Sequence, residues 1–80
     1  MEIEVHLPQW GMEITEATVV RWLKSVGDEV TEDEPLVEVE TSKATDFVNA
    51  TASGVLVKIA AEAGADVPVG DVLAVIETAG

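Results

Sequence analysis

Apolar residues recur at every second position along much of the chain: Ile3, Val5 and Leu7; Val37 and Val39 around Glu38; Val55, Val57 and Ile59; Val67 and Val69. A period of two is that of a strand with one face on a core and the other in water. Turn-forming clusters separate the runs: Pro8 to Gly11, Gly27-Asp28, Asp33-Glu34-Pro35, Ser53-Gly54, Gly64-Ala65-Asp66 and Gly70-Asp71. The pattern predicts an all-β domain of short strands and tight turns, a small sandwich or barrel. Only Lys58 to Ala63 approaches helical composition, and Gly64 stops it before two turns are complete, so it reads as a strand end followed by a turn.

Displaced against itself by 37 positions, the sequence aligns Gly27 with Gly64, Val30 with Val67, Leu36 with Leu73, Glu40 with Glu77 and Thr41 with Thr78; Val20 meets Val57 and Arg21 meets Lys58. Such a repeat predicts two similar halves about an approximate two-fold axis, because neither half alone could bury its apolar face. Lys43 aligns with Gly80, so the Lys43 turn and the C-terminus are expected at symmetry-related, opposite ends. Eighty residues allow one domain, 1–80, and no Pro-, Ser- or Gly-rich stretch is long enough for a linker. The abrupt ending at Glu77-Thr78-Ala79-Gly80 fits a module cut from a longer chain.

Composition narrows the partners. Four basic and 16 acidic residues leave a formal charge of −12, which repels phosphate backbones and anionic membrane surfaces, favours a monomer and steers the domain towards basic patches. With no cysteine, neither a disulfide nor a thiolate zinc site can hold the fold. No apolar run approaches the ~18 residues of a membrane span, and Met1-Glu2-Ile3-Glu4-Val5 lacks the basic start of a secretory signal. A prokaryotic cytoplasm, or an organelle matrix, is the expected location.

Few residues carry chemistry. The single histidine, His6, alternates with Val5 and Leu7 and reads as an ordinary strand residue, so no nucleophile and base pair is expected and no catalytic residue is assigned. Sixteen carboxylates read as a solvated acidic face, and Asp28-Glu29 and Asp33-Glu34 begin no calcium loop, so no metal site is assigned. Lys43 stands apart. It lies in Glu40-Thr41-Ser42-Lys43-Ala44 between the run Leu36 to Glu40 and a second run, Asp46 to Ala50, which puts it at a hairpin tip. An amine on a flexible four-carbon stem at such a tip is open to acylation. Spacing alone leaves open whether this lysine serves only solubility.

Glu40-Thr41-Ser42-Lys43-Ala44, preceded by Val26-Gly27-Asp28-Glu29-Val30 and followed by Ala52-Ser53-Gly54-Val55-Leu56, resembles the lipoyl domain of the acyltransferase component of 2-oxo acid dehydrogenase complexes. The likeness runs from Leu7-Pro8 through Gly70-Asp71-Val72-Leu73 to Ile76-Glu77. It implies a flattened barrel or sandwich of two four-stranded antiparallel sheets with internal two-fold pseudo-symmetry, and lipoic acid in amide linkage to Lys43. It further implies a non-catalytic swinging-arm carrier. Its partners would be a lipoate-protein ligase or lipoyl transferase, a thiamin-dependent decarboxylase, an acyltransferase core and a dihydrolipoyl dehydrogenase.

Two positions depart from the family pattern. Ser42 stands where many members have aspartate, which leaves the identity of the decarboxylase open. Phe47 stands where the family often has glutamate; alternation points Val48 inwards and Phe47 outwards, either as an exposed contact near the arm or folded on Trp10 or Met12. The loop Pro8-Gln9-Trp10-Gly11-Met12-Glu13 resembles the family's first surface loop, which lies near the lipoyl-lysine turn. The resemblance therefore makes Trp10, Met12, Glu40, Thr41, Ser42, Ala44 and Phe47 candidate recognition residues, with Trp10 open between contact and core and Trp22 read as core. Pro-Gln-Trp-Gly-Met with Thr-Ser-Lys also resembles carriers of acetoin-cleaving complexes. The nearest alternative, a biotin carrier, resembles Met-Lys-Met at the tip, where this chain has Ser42 and Ala44. A second alternative is an unmodified structural module of the same fold.

Overall fold

The computed structural model describes residues 1–9 and 11–78. Eight strands follow one another: β1 (Glu2–His6), β2 (Glu16–Trp22), β3 (Glu29–Val30), β4 (Pro35–Glu40), β5 (Thr45–Asn49), β6 (Gly54–Ile59), β7 (Asp66–Pro68) and β8 (Val72–Glu77). They form two open four-stranded sheets, ordered β1-β8-β6-β3 and β5-β4-β2-β7, with antiparallel pairing throughout. This is a flattened sandwich of 38 × 21 × 17 Å. No helix occurs among the described residues, and residues 58–63 are a strand end and a turn, as their composition predicts.

The 37-residue displacement is a real symmetry. It carries β2 onto β6, β3 onto β7 and β4 onto β8, so one sheet maps onto the other. Each half lends its short strand to the other half's sheet: β3 pairs with β6 and β7 with β2. The bonds that extend these ladders into the loops also repeat in step. The Gly27 amide donates to Leu56 O at 2.7 Å and the Gly64 amide to Val19 O at 2.7 Å; the Leu23 amide reaches Leu36 O and the Ala60 amide Leu73 O, both at 2.8 Å. Gly27 and Gly64 have φ of 98° and 94°, where a Cβ is penalised. Asp33, at φ 72°, occupies the place that Gly70 holds in the other half, a conformation that aspartate tolerates better than most side chains.

Simple alternation fails where the ladders slip. The register shifts between Val19 and Arg21 in β2 and between Leu56 and Lys58 in β6, leaving Val20 and Val57 without a cross-strand partner in those pairings. Each slip reverses the phase of the strand beyond it. Val19 is therefore buried, Val20 is 44% exposed, and Trp22 turns back onto the core. In β6 the core residue is Leu56, fully buried, with Val55 and Val57 on the outer face and Ile59 packed again on the core. The run Val55, Val57, Ile59 is thus not one buried face. Leu36, Val37 and Val39 of β4 and Leu73, Ala74 and Ile76 of β8 complete the interior, each with no measurable exposure. A buried leucine of this kind stabilises the fold by roughly 1.5–3 kcal/mol, and truncating it costs about 2–5 kcal/mol.

Candidate functional site

β4 ends at Glu40 and β5 begins at Thr45, so Thr41-Ser42-Lys43-Ala44 is the whole hairpin tip. Val39 and Val48, buried just behind it, anchor both arms. One side chain organises the turn. The Thr41 hydroxyl donates to Ala44 O at 2.9 Å and accepts from the amides of Ala44 at 3.1 Å and Lys43 at 3.3 Å, which uses its donor and both lone pairs. The Thr41 amide adds a bond to Ala44 O at 2.8 Å. Ser42, Lys43 and Ala44 face solvent, and the Lys43 side chain is 62% exposed.

The loop before β2 meets this tip. The Gln9 side-chain amide donates to the carbonyls of Gly11 and Ile14, the latter at 2.7 Å, and the Ile14 amide reaches Gly11 O at 3.1 Å. Ile14 is buried, so its neighbour Glu13 projects outwards and places Oε1 2.5 Å from Lys43 Nζ. Glu13, Ile14, Thr18, Glu40, Thr41 and Ser42 line a shallow groove beside the amine.

The other lysines are placed differently. Lys24 is bound to Glu34 at 3.2 Å with 28% of its side chain exposed, and Lys58 lies within β6 rather than at a turn. Met12 is 99% exposed, so Phe47 does not fold onto it; Phe47 is 44% exposed and sits opposite Glu38 across β4 and β5, while Val48 points inwards as alternation predicts. Trp10 lies outside the described residues. Trp22 packs on the core and donates from Nε1 to Ala61 O at 2.7 Å. His6 belongs to the opposite sheet, where its ring contacts Gly70 O at 2.7 Å and Glu4 Oε1 at 3.2 Å. Among the described residues no group of His, Cys, Asp and Glu could hold a metal ion. Glu13 carries no mark in the sequence, since nothing distinguishes it among 16 carboxylates until the loop and the tip are brought together.

What the tip can do is present one amine, on a stiff turn, to an acyl donor. The sequence profile of the family described as biotin-requiring enzyme matches residues 3–76. The chain belongs to this biotinyl and lipoyl attachment family. The dihydrolipoyllysine-residue acetyltransferase component of the pyruvate dehydrogenase complex of Mycobacterium bovis is 51% identical over 75 residues, which cover 94% of this chain and 14% of that protein. The chain thus spans a small part of the length of that relative. Among solved structures, the lipoyl domain of the 2-oxoglutarate dehydrogenase complex from Azotobacter vinelandii superposes with a TM-score of 0.77 at 33% identity, covering 98% of this chain and 99% of the other. The Kluyveromyces lactis urea carboxylase also contains the fold, with a TM-score of 0.82 at 26% identity over 96% of this chain and 6% of that one. Shape alone does not separate the two classes. Sequence does: the chain is a carrier domain of the lipoyl type, matched end to end by a lipoyl domain.

Proposed function

We propose that Lys43 carries lipoic acid in amide linkage and that the domain is the swinging arm of a longer dihydrolipoyllysine acyltransferase. The observation that carries this reading is the tip itself, where the Thr41 hydroxyl holds a four-residue turn and leaves the Lys43 stem free in solvent. The residues fit the group, because apart from Glu13 no ion-pair partner holds the amine among the described residues. When bound, lipoate supplies a dithiolane that accepts an acyl group and two electrons from a thiamin-dependent decarboxylase, passes the acyl group to coenzyme A at the acyltransferase core, and returns the electrons to a dihydrolipoyl dehydrogenase.

The chain's own part is mechanical and electrostatic. Thr41 fixes the base of the arm, and the packed sheets behind it keep that base from yielding when a partner engages the tip. Delivery then depends on effective concentration along a tether. Glu40, Thr41, Ser42 and Ala44 flank the arm, and with the exposed Met12 and Phe47 they form the surface a decarboxylase reads; Trp10 belongs to the same loop sequence as Met12. The formal charge moves from −12 to −13 when Lys43 is acylated. The location that goes with this reading is a prokaryotic cytoplasm, ahead of an organelle matrix.

The test is coexpression with a lipoate ligase and, in parallel, with a biotin ligase, read by intact mass and peptide mapping. One lipoyl group on Lys43, lost in Lys43→Gln with the fold unchanged, is the expected result. Modification at Lys24 or Lys58 overturns the assignment. Biotin alone on Lys43 establishes the carboxylase carrier that the urea carboxylase likeness favours, despite Ser42 and Ala44 at the tip.

A further inference from the structure

Of the side-chain ion pairs among the described residues, that of Lys43 with Glu13 is the one in which a partner loses its charge if the arm is loaded. Arg21 with Glu38, at 2.7 Å, and Lys24 with Glu34, at 3.2 Å, lie away from the tip and keep their charges in every state. Glu13 and Lys43 are thirty residues apart in the chain, and both are held from behind: Glu13 by the buried Ile14 and the Gln9 clamp, Lys43 by the Thr41 hydroxyl. Their contact is therefore set by two supported loops rather than by two free stems.

Resting on the reading that Lys43 is the acylated residue, we propose that Glu13 senses the loading state of the arm. In the unmodified chain it latches residues 11–15 to the hairpin tip, and it is released into solvent when Nζ becomes an amide. The chemistry forces the change. When an acyl adenylate transfers its acyl group to Nζ, a C–N bond forms, the C–O bond to the adenylate phosphate breaks, AMP departs, and the ammonium sheds two protons. The product has one N–H and no charge. Glu13 then loses its counter-ion, and the groove lined by the carboxylates of Glu13, Glu16 and Glu40 no longer has an ammonium paired at its edge. A ligase that needs the unmodified domain and a decarboxylase that needs the loaded one thus meet different surfaces at the same place.

Both side chains are about two-thirds exposed, 62% for Lys43 and 66% for Glu13, so the latch is weak. An exposed pair biases an equilibrium by about two- to fivefold. A ligase can open such a latch without further help, and salt weakens it. Glu13 is on this account a positioning residue that acts through the loop and makes no bond to the transferred group.

Backbone amide NMR spectra of the unmodified domain, the lipoylated domain and the variants Lys43→Gln, Lys43→Arg and Glu13→Gln test this. Lipoylation and Lys43→Gln are expected to move the amides of Gly11 and Met12 to Thr15 in the same direction, Lys43→Arg to leave them in place, and high salt to shrink the shift. In a Glu13→Gln background the difference between Lys43 and Lys43→Gln should vanish at these amides. Amides of 11–15 that ignore Lys43→Gln, or that respond equally with Glu13→Gln, overturn the proposal. The variant series needs no lipoate, so a failure of attachment at Lys43 and a failure of the Glu13 latch give separate results.

Discussion

The Lys43 tip and the place where residue 78 meets residue 1 are the same backbone device used twice. At the tip the Thr41 amide donates to Ala44 O at 2.8 Å; at the other place the Thr78 amide donates to Met1 O at 2.8 Å. The hydroxyls follow, Thr41 Oγ1 to Ala44 O at 2.9 Å and Thr78 Oγ1 to Met1 O at 3.2 Å. Among the described residues the difference lies in what each hydroxyl also accepts. Thr41 takes the amides of Lys43 and Ala44 and so closes a turn, whereas at Thr78 the α-amino group of Met1 donates to the backbone carbonyl at 3.2 Å. A two-fold fold thus provides two equivalent frames, and four residues in one of them turn it into an arm base. Gly80, the counterpart of Lys43, lies outside the described residues.

One break in the symmetry is at Gly54, which takes the place that Ala17 holds in the other half. A Cβ at Gly54 would lie 2.2 Å from Glu77 O and 2.9 Å from Ile76 Cγ2, while Ala17 is accommodated with 2% exposure. Gly54→Ala is expected to destabilise the domain by about 3 kcal/mol and Ala17→Gly by about 1 kcal/mol, measured by denaturant unfolding. Equal losses would mean that the β6–β8 approach is no tighter than its counterpart.

Thr41→Val and Thr78→Val sharpen the comparison next. Among the described residues the first removes three hydrogen bonds and should cost ~1 kcal/mol, and the second removes one and should cost ~0.5 kcal/mol. Only Thr41→Val should also slow lipoylation severalfold in a ligase time course. A similar slowing by Thr78→Val would show that general stability, not the tip, governs the rate.

The smallest effect is one of pH. The Thr31 amide and then the Lys24 ammonium hold the Glu34 carboxyl below its ordinary value of 4.5. A carboxyl lowered in the folded state contributes stability that is present above its unfolded value and is lost as the pH falls through the folded one. Acidification from neutral pH to well below 4.5 should therefore lower the melting temperature of the native domain slightly more than that of Glu34→Gln. Asp71, at the equivalent position, faces Pro68 in place of Thr31 and so has no such amide to accept from.

The sandwich, the repeat and the tip lysine were legible because each rests on local chemistry: β-branched alternation, turn glycines at matching offsets, and one lysine between two strand runs. Phe47 was legible as an outward residue for the same reason. Val55 and Val57 were not, because a single slipped residue in the ladder reverses a strand's phase and leaves no mark in an apolar run. Nor was the partner of Lys43, since every carboxylate in a chain of charge −12 looks alike until the fold selects one.

The amino-acid order by itself therefore determined the class of fold, its internal two-fold relation and the lysine on the exposed turn, since these follow from steric and solvation preferences of neighbouring residues. Only the tertiary structure decided that each half lends a short strand to the other, that Leu56 rather than its valine neighbours fills the core, and that Glu13 meets Lys43. Those outcomes depend on contacts between residues far apart in the chain, whose energies are set by register and burial and exist only once the two sheets have packed.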